Sequence, residues 1–111
     1  MKHCILEYQR EGTCFHEFQK GQFDGKTYWK SNSLLLSDDK LMECLDFLEK
    51  LCAVIPEYSP YDITEVTPEQ WQQISKKMKN VQGLSKEVFW EIDKWAKKTF
   101  ETYDCFTILG L

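Results

Sequence analysis

The sequence is poor in arginine and in long apolar runs, and each shortage excludes a class of function. Arg10 is the only arginine among the 111 residues. Because recognition of bases and phosphates favours the bidentate guanidinium group of arginine, we expect no direct contact with nucleic acid. No apolar run approaches the roughly 18 residues of a membrane span, and the apolar N-terminal run is only Cys4–Leu6. We therefore predict no membrane association, no signal peptide and a cytoplasmic location.

The sequence also lacks the spacings of known cysteine and histidine sites. The five cysteines are odd in number and scattered, so we expect reduced thiols within the core. The two histidines lie close to two of these cysteines, but their spacing is that of no zinc finger or knuckle, and neighbours on a strand point to opposite faces. We predict no metal, no cofactor and no catalytic site. The two histidines and the two cysteines close to them are His3, Cys4, Cys14 and His16.

The strongest local signal is the stretch YDITEVTPEQWQQI, from Tyr61 to Ile74. It begins with an alternating, β-branched segment that predicts a buried strand at 62–66. Thr67 then has the features of a helix N-cap, with Pro68 at the first helical position and Gln70 completing a capping box.

The remaining pattern predicts one α+β domain spanning 1–111, since 42% hydrophobic residues suffice for a core. Strands are predicted at 3–9, 13–23 and 26–31, with a hairpin at Asp24-Gly25, and form an N-terminal three-stranded antiparallel meander. Helices are predicted from Ser37 to Ala53, from Pro68 and from Ser85, where Leu84 and Ser85 would form a staple and cap. A short apolar strand follows at 105–109. The prediction is three helices and two further strands in one mixed sheet.

Charge is distributed unevenly along the chain, although the net charge is only −4. Residues 37–65 contain eight acidic residues and two lysines, whereas residues 76–98 contain seven lysines and three acidic residues. Such an asymmetric surface steers charged partners.

On the first predicted helix, Asp39, Glu43 and Asp46 fall within about 60° of one another at 100° per residue, with Phe47 beside them at the edge of the apolar stripe. Like charges four residues apart oppose helix formation. Two interpretations remain open: an ordinary solvated helix face, or an anionic patch that imitates nucleic-acid phosphates for a basic protein partner. Tyr58, Tyr61 and Asp62 lie on the following acidic loop and would extend this patch.

Two other features leave alternatives open. Trp90 points away from the apolar stripe of the last predicted helix, among lysines, and either packs under another element or forms a protein contact. A small enzyme could use a Cys/His pair such as Cys14 and His16 as nucleophile and base, which is the third alternative.

The stretch YDITEVTPEQWQQI, followed by FWEIDKW and the ending DCFTILGL, resembles small bacterial immunity proteins. These accompany the toxins of contact-dependent growth inhibition and other polymorphic toxin systems. The resemblance implies a cytoplasmic, non-enzymatic protein that binds the C-terminal domain of its cognate toxin. Many such toxins are nucleases with basic clefts, which agrees with the acidic segment. The predicted toxin-binding residues, taken from charge and exposure in this chain, are Asp39, Glu43, Asp46, Phe47, Tyr58, Tyr61 and Asp62.

Overall fold

Four strands form a single antiparallel sheet in the computed structural model, which describes residues 1–111. The strands are, in chain order, β1 (Phe15–Lys20), β2 (Leu34–Ser37), β3 (Ile63–Val66) and β4 (Phe106–Leu109). Their order across the sheet is β2-β1-β4-β3, so the last strand lies in the interior. The predicted terminal strand is therefore confirmed as a buried one, whereas the predicted strand at 62–66 lies at an edge.

Helices cover one face of the sheet. They are α1 (Asp38–Glu43), α2 (Leu45–Val54), α3 (Pro68–Lys77) and α4 (Leu84–Phe100), preceded by one 3-10 turn at Glu7–Gln9. Alternation along the strands directs Phe18, Leu34, Leu36, Phe106 and Ile108 towards these helices, and all five belong to a core of 20 buried residues. None of the helices combines the length with the apolar character needed to cross a bilayer.

The α+β class is confirmed, but the N-terminal meander and the mixed sheet are wrong. Residues 3–9 contribute only a bridge between Ile5 and Leu35 and then turn into the 3-10 segment. Residues 26–31 form no strand, because Asp24 Oδ1 accepts the amides of Lys26 and Thr27 and makes a side-chain turn in place of a hairpin. Residues 34–37, predicted only to precede a helix, form β2.

A long segment, Gly21–Ser33, covers part of the second face of the sheet. The buried carboxylate of Glu17 on β1 accepts hydrogen bonds from the amides of Trp29 and Lys30, at 2.8 and 2.9 Å, and from the Ser33 hydroxyl at 2.6 Å. Beside it, Gln19 Nε2 donates to the Thr27 carbonyl. These bonds take the place of the second hairpin that the sequence predicts.

The N-terminal segment is held against α4 by the carboxylates of Glu91 and Glu87. Glu91 accepts hydrogen bonds from the backbone amides of Lys2, His3 and Cys4, at 2.8 to 3.2 Å. His3 Nε2 lies 2.9 Å from Glu87 one turn earlier. Ile5 then completes the edge of β2 by exchanging two backbone hydrogen bonds with Leu35.

Candidate functional site

The acidic surface begins where β2 runs directly into α1. Ser37, where the first helix is predicted to begin, is the N-cap of α1, and its hydroxyl accepts the Lys40 amide at 3.2 Å. Asp38 and Asp39 occupy the first turn, where the helix dipole favours negative charge. Asp38 lies 2.8 Å from His16 Nε2, whereas Asp39 is exposed and makes no ion pair.

The single helix predicted from Ser37 to Ala53 is broken at Cys44, where φ is −94° and ψ is 60°. After the break, the Phe47 amide donates to Ser85 Oγ on α4 at 3.3 Å. Ser85 therefore satisfies a free amide at the start of α2, while Gly83, and not Ser85, is the N-cap of α4. This contact between distant segments has no signal in the local sequence.

The break changes which side chains of this region face solvent. Phe47, predicted as a contact residue, is fully buried and packs against Trp71 and Phe89 with ring centroids 6.3 and 6.1 Å away. Leu45 would lie on the apolar face of a single continuous helix, yet it is 71% exposed, and Met42 is also exposed. A count of 100° per residue does not continue across a helix break. The sequence pattern therefore assigns Phe47 and Leu45 to the wrong environments.

Tyr58 is a second correction to the predicted contact residues. It is buried within the core, and burial raises the pKa of its phenol, with nearby Cys52 and Asp38 adding to the effect. A buried phenol is unavailable for contact with a partner surface. Tyr61 is 73% exposed and Asp62 is exposed, so these two loop residues keep the accessibility that the prediction requires.

Four predicted acidic residues share one property: each is exposed and none forms a salt bridge with a cation of the chain. Lys50, four residues after Asp46 on α2, is paired with Glu49 at 2.7 Å. The four carboxylates are Asp39, Glu43, Asp46 and Asp62, and together with Tyr61 we call them the acidic surface.

Sheet topology brings the two parts of the acidic surface to one end of the molecule. Each strand of the sheet runs antiparallel to its neighbours, so β2 and β3, with two strands between them, run in opposite directions. The end of β2 and the start of β3 therefore lie at the same end of the sheet. Asp39 follows β2, and Asp62 precedes β3. With about 4.8 Å between neighbouring strands, the two edges lie roughly 14 Å apart.

A second surface is basic and contains Trp90. The indole is 60% exposed, with Lys94 Nζ 4.8 Å from the ring centroid, so Trp90 does not pack under another element. An adjacent cleft of about 450 Å³ between α3 and α4 is lined by four lysines. Two of them are engaged, since Lys86 donates to the Met78 carbonyl and Lys97 pairs with Asp93. The four lysines that line the cleft are Lys76, Lys79, Lys86 and Lys97.

The residues considered for chemistry are dispersed. His16 is fully buried and bonded to Asp38, whereas Cys14 is exposed. No group of three His, Cys, Asp or Glu side chains is arranged to hold a metal ion. Cys52 is exposed as well, so the expectation that all five thiols lie in the core is wrong for Cys14 and Cys52.

Comparison of the chain with models of known families, with curated proteins and with solved structures finds no match.

Proposed function

We propose that this chain is a cytoplasmic immunity protein that binds the C-terminal domain of a cognate toxin and neutralises it. The toxin is a nuclease, and the acidic surface covers its basic active-site cleft. Asp39, Glu43, Asp46 and Asp62 supply the charge, and Tyr61 supplies an exposed aromatic contact. Phe47 and Tyr58 contribute indirectly, as core residues beneath this surface.

The observation that carries the proposal is the set of four exposed carboxylates without a cationic partner. Asp39 and Glu43 are four residues apart on α1, where like charges destabilise a helix by a few tenths of a kcal/mol. A basic partner would compensate this repulsion and would associate faster because of the opposite charge.

Exposed apolar side chains support a protein partner over simple solvation. Met42 and Leu45 lie on either side of the break at Cys44, next to Glu43 and Asp46 in the chain, and both are exposed. Apolar side chains surrounded by charged groups are typical of interface centres, where they supply affinity while the charges guide association.

A direct test measures binding to the C-terminal domain of the protein encoded beside this chain, which is where an immunity protein's toxin is encoded. Asp39→Asn, Glu43→Gln and Asp46→Asn are combined in one variant. We expect its association rate constant in surface plasmon resonance to fall by at least about tenfold at low salt, with a smaller effect at high salt.

The control neutralises three acidic residues outside the acidic surface: Glu11, Glu101 and Asp104, all exposed and outside any ion pair. Glu101 and Asp104 precede β4, at the other end of the sheet. Both variants change the net charge by the same amount, so an equal loss of rate in the two would reject the acidic surface as the binding site. Failure of the unmodified chain to bind or protect cells from this domain would reject the immunity function.

Trp90 favours a second candidate function, that of an adaptor or subunit. Exposed tryptophan beside Lys94 resembles a contact hot spot for an acidic protein surface. Under this alternative, Trp90→Ala would abolish capture of the partner, whereas neutralising Asp39, Glu43 and Asp46 would leave capture unchanged. The two candidates are separated by which variant loses binding in the same pull-down.

A further inference from the structure

The outer edge of β3 has unpaired backbone groups. Gly110 donates to the Asp62 carbonyl at 3.0 Å, which makes this a hydrogen-bonded pair between β3 and β4. Alternation then directs the backbone groups of Thr64 and Val66 to β4 as well, with Ile108 and Phe106 as partners. The N–H and C=O groups of Ile63 and Glu65 therefore point away from the sheet.

The opposite edge of the sheet is closed. There the outward groups of Leu35 on β2 are paired with Ile5 of the N-terminal segment. No segment does the same for β3, which is the terminal strand on its side. Unpaired edges favour pairing with another chain, and natural proteins usually cover them.

Side chains beside this edge are exposed and partly apolar. Ile63 is 54% exposed on the sheet face opposite the helices, and Glu65 on the same face is exposed. Tyr61, two residues before Ile63, continues this series. An added strand would bury the Ile63 side chain and gain hydrogen bonds to Ile63 and Glu65.

The charge around the edge selects the occupant. From residue 51 to residue 75 the chain has four acidic residues and neither lysine nor arginine. A second copy of this chain would bring two acidic edges together, whereas a cationic segment would have complementary charge. The four acidic residues near the edge are Glu57, Asp62, Glu65 and Glu69.

We propose that β3 binds an extended, lysine- or arginine-containing segment of the toxin domain, which pairs with the outward backbone groups of Ile63 and Glu65 as a fifth strand. The inference rests on the proposed immunity function and specifies how part of the toxin is recognised. Asp62 and Tyr61 connect this edge to the acidic surface, so that one toxin domain contacts both.

Two variants at Glu65 distinguish the contribution of the backbone hydrogen bond to toxin binding from that of the side-chain charge. Glu65→Pro and Glu65→Thr both remove the carboxylate, but only proline also removes the outward N–H. Proline is tolerated there because that N–H makes no bond within the sheet. We expect the dissociation constant for the toxin domain of the neighbouring gene to be at least about tenfold higher for Glu65→Pro than for Glu65→Thr.

Amide hydrogen exchange of the unmodified chain provides a second measurement that does not depend on folding of the proline variant. We expect the amides of Ile63 and Glu65 to become strongly protected when the toxin domain binds. Unchanged exchange at both amides, or equal affinities of the two variants, would reject the added strand while leaving the immunity function intact.

Two further outcomes identify other errors. If the unmodified chain does not bind the toxin domain, the immunity function and the added strand are both rejected. If the Ile63 and Glu65 amides become protected as the concentration of this chain alone is raised, the occupant is a second copy, and the proposed cationic segment is wrong.

Discussion

At the scale of single residues, Glu17 has a structural role that the sequence does not reveal. Its carboxylate is buried on the second face of the sheet and accepts three hydrogen bonds from Trp29, Lys30 and Ser33. Hydrogen bonds to a charged acceptor are stronger than those between neutral groups. This side chain therefore holds the last part of the segment between β1 and β2 against the sheet.

Replacing Glu17 by glutamine should destabilise the protein by about 3 kcal/mol, because the glutamine NH₂ group would face donors and leave them unsatisfied. The measurement is the free energy of unfolding from urea denaturation. Glu65→Gln is the control, since Glu65 lies on the same sheet face but is exposed, and it should change stability by less than about 0.5 kcal/mol. Equal effects of the two substitutions would contradict the role assigned to Glu17.

Local residue signals nevertheless predict one helix start well. Thr67 accepts the Gln70 amide at 3.2 Å and Gln70 Oε1 accepts the Thr67 amide at 2.9 Å, as the capping box requires. Such signals are reliable because all partners lie within three residues. Glu17 and Ser85 have partners 12 to 38 residues away, and no spacing in the sequence indicates them.

At the scale of elements, the N-terminal segment depends on the ionised form of Glu91. Burial raises the pKa of this carboxyl, but hydrogen bonds from the amides of Cys4, His3 and Lys2 together outweigh burial, and the pKa lies below its usual value. A carboxyl with a lowered pKa in the folded protein contributes stability above its unfolded pKa of about 4.3. That contribution is lost as the pH falls through the lower folded pKa.

We therefore expect the unmodified protein to lose stability more steeply than Glu91→Gln as the pH falls from about 5 to about 3. At neutral pH, Glu91→Gln should be less stable by about 2 kcal/mol, because hydrogen bonds to a charged acceptor are lost. Urea denaturation across this pH range gives both quantities. Glu101→Gln, at an exposed position without an ion pair, should follow the unmodified protein; parallel curves for all three proteins would contradict the prediction.

The acidic surface could be predicted only in part, again for reasons at the scale of elements. Exposure of Asp39, Glu43 and Asp46 follows from the amphipathic pattern, because charged residues on a helix face solvent. The burial of Phe47 does not follow, since it depends on the break at Cys44 and on the contact with Ser85. The exposure of Leu45 and Met42 could not be predicted for the same reason.

At the scale of the whole molecule, the fold divides the five thiols into two groups. Cys14 and Cys52 are exposed, whereas Cys4, Cys44 and Cys105 are buried and burial raises the pKa of each. A thiolate is the reactive form, so both burial and the raised pKa protect these three. Alkylation with iodoacetamide at pH 8 should modify Cys14 and Cys52 in the folded protein and all five thiols after denaturation.

Peptide mass spectrometry identifies the modified positions. Rapid labelling of Cys4, Cys44 or Cys105 without denaturant would contradict the packing described above. Cys14 reacting much faster than Cys52 would instead favour the enzyme alternative, in which Cys14 is an activated nucleophile.

Strand order is the property of the whole molecule that the sequence pattern predicts least. Periodicity locates β1, β3 and β4 approximately but contains no information about which strands are neighbours. Local signals favoured hairpins near the N-terminus, whereas β1 pairs with β2 across the Gly21–Ser33 segment and with β4 from the other end of the sequence. These pairings depend on the complete set of tertiary contacts.

The interior position of β4 also has a consequence for synthesis of the protein. β4 is the last of the elements to be made, yet it lies between β1 and β3 and supplies hydrogen bonds to both. A ribosome that adds about 5–20 residues per second has translated β1 and β3 before the strand that lies between them exists. The sheet therefore cannot close before β4 has been made, and under the proposed immunity function the chain can bind a toxin only after that step.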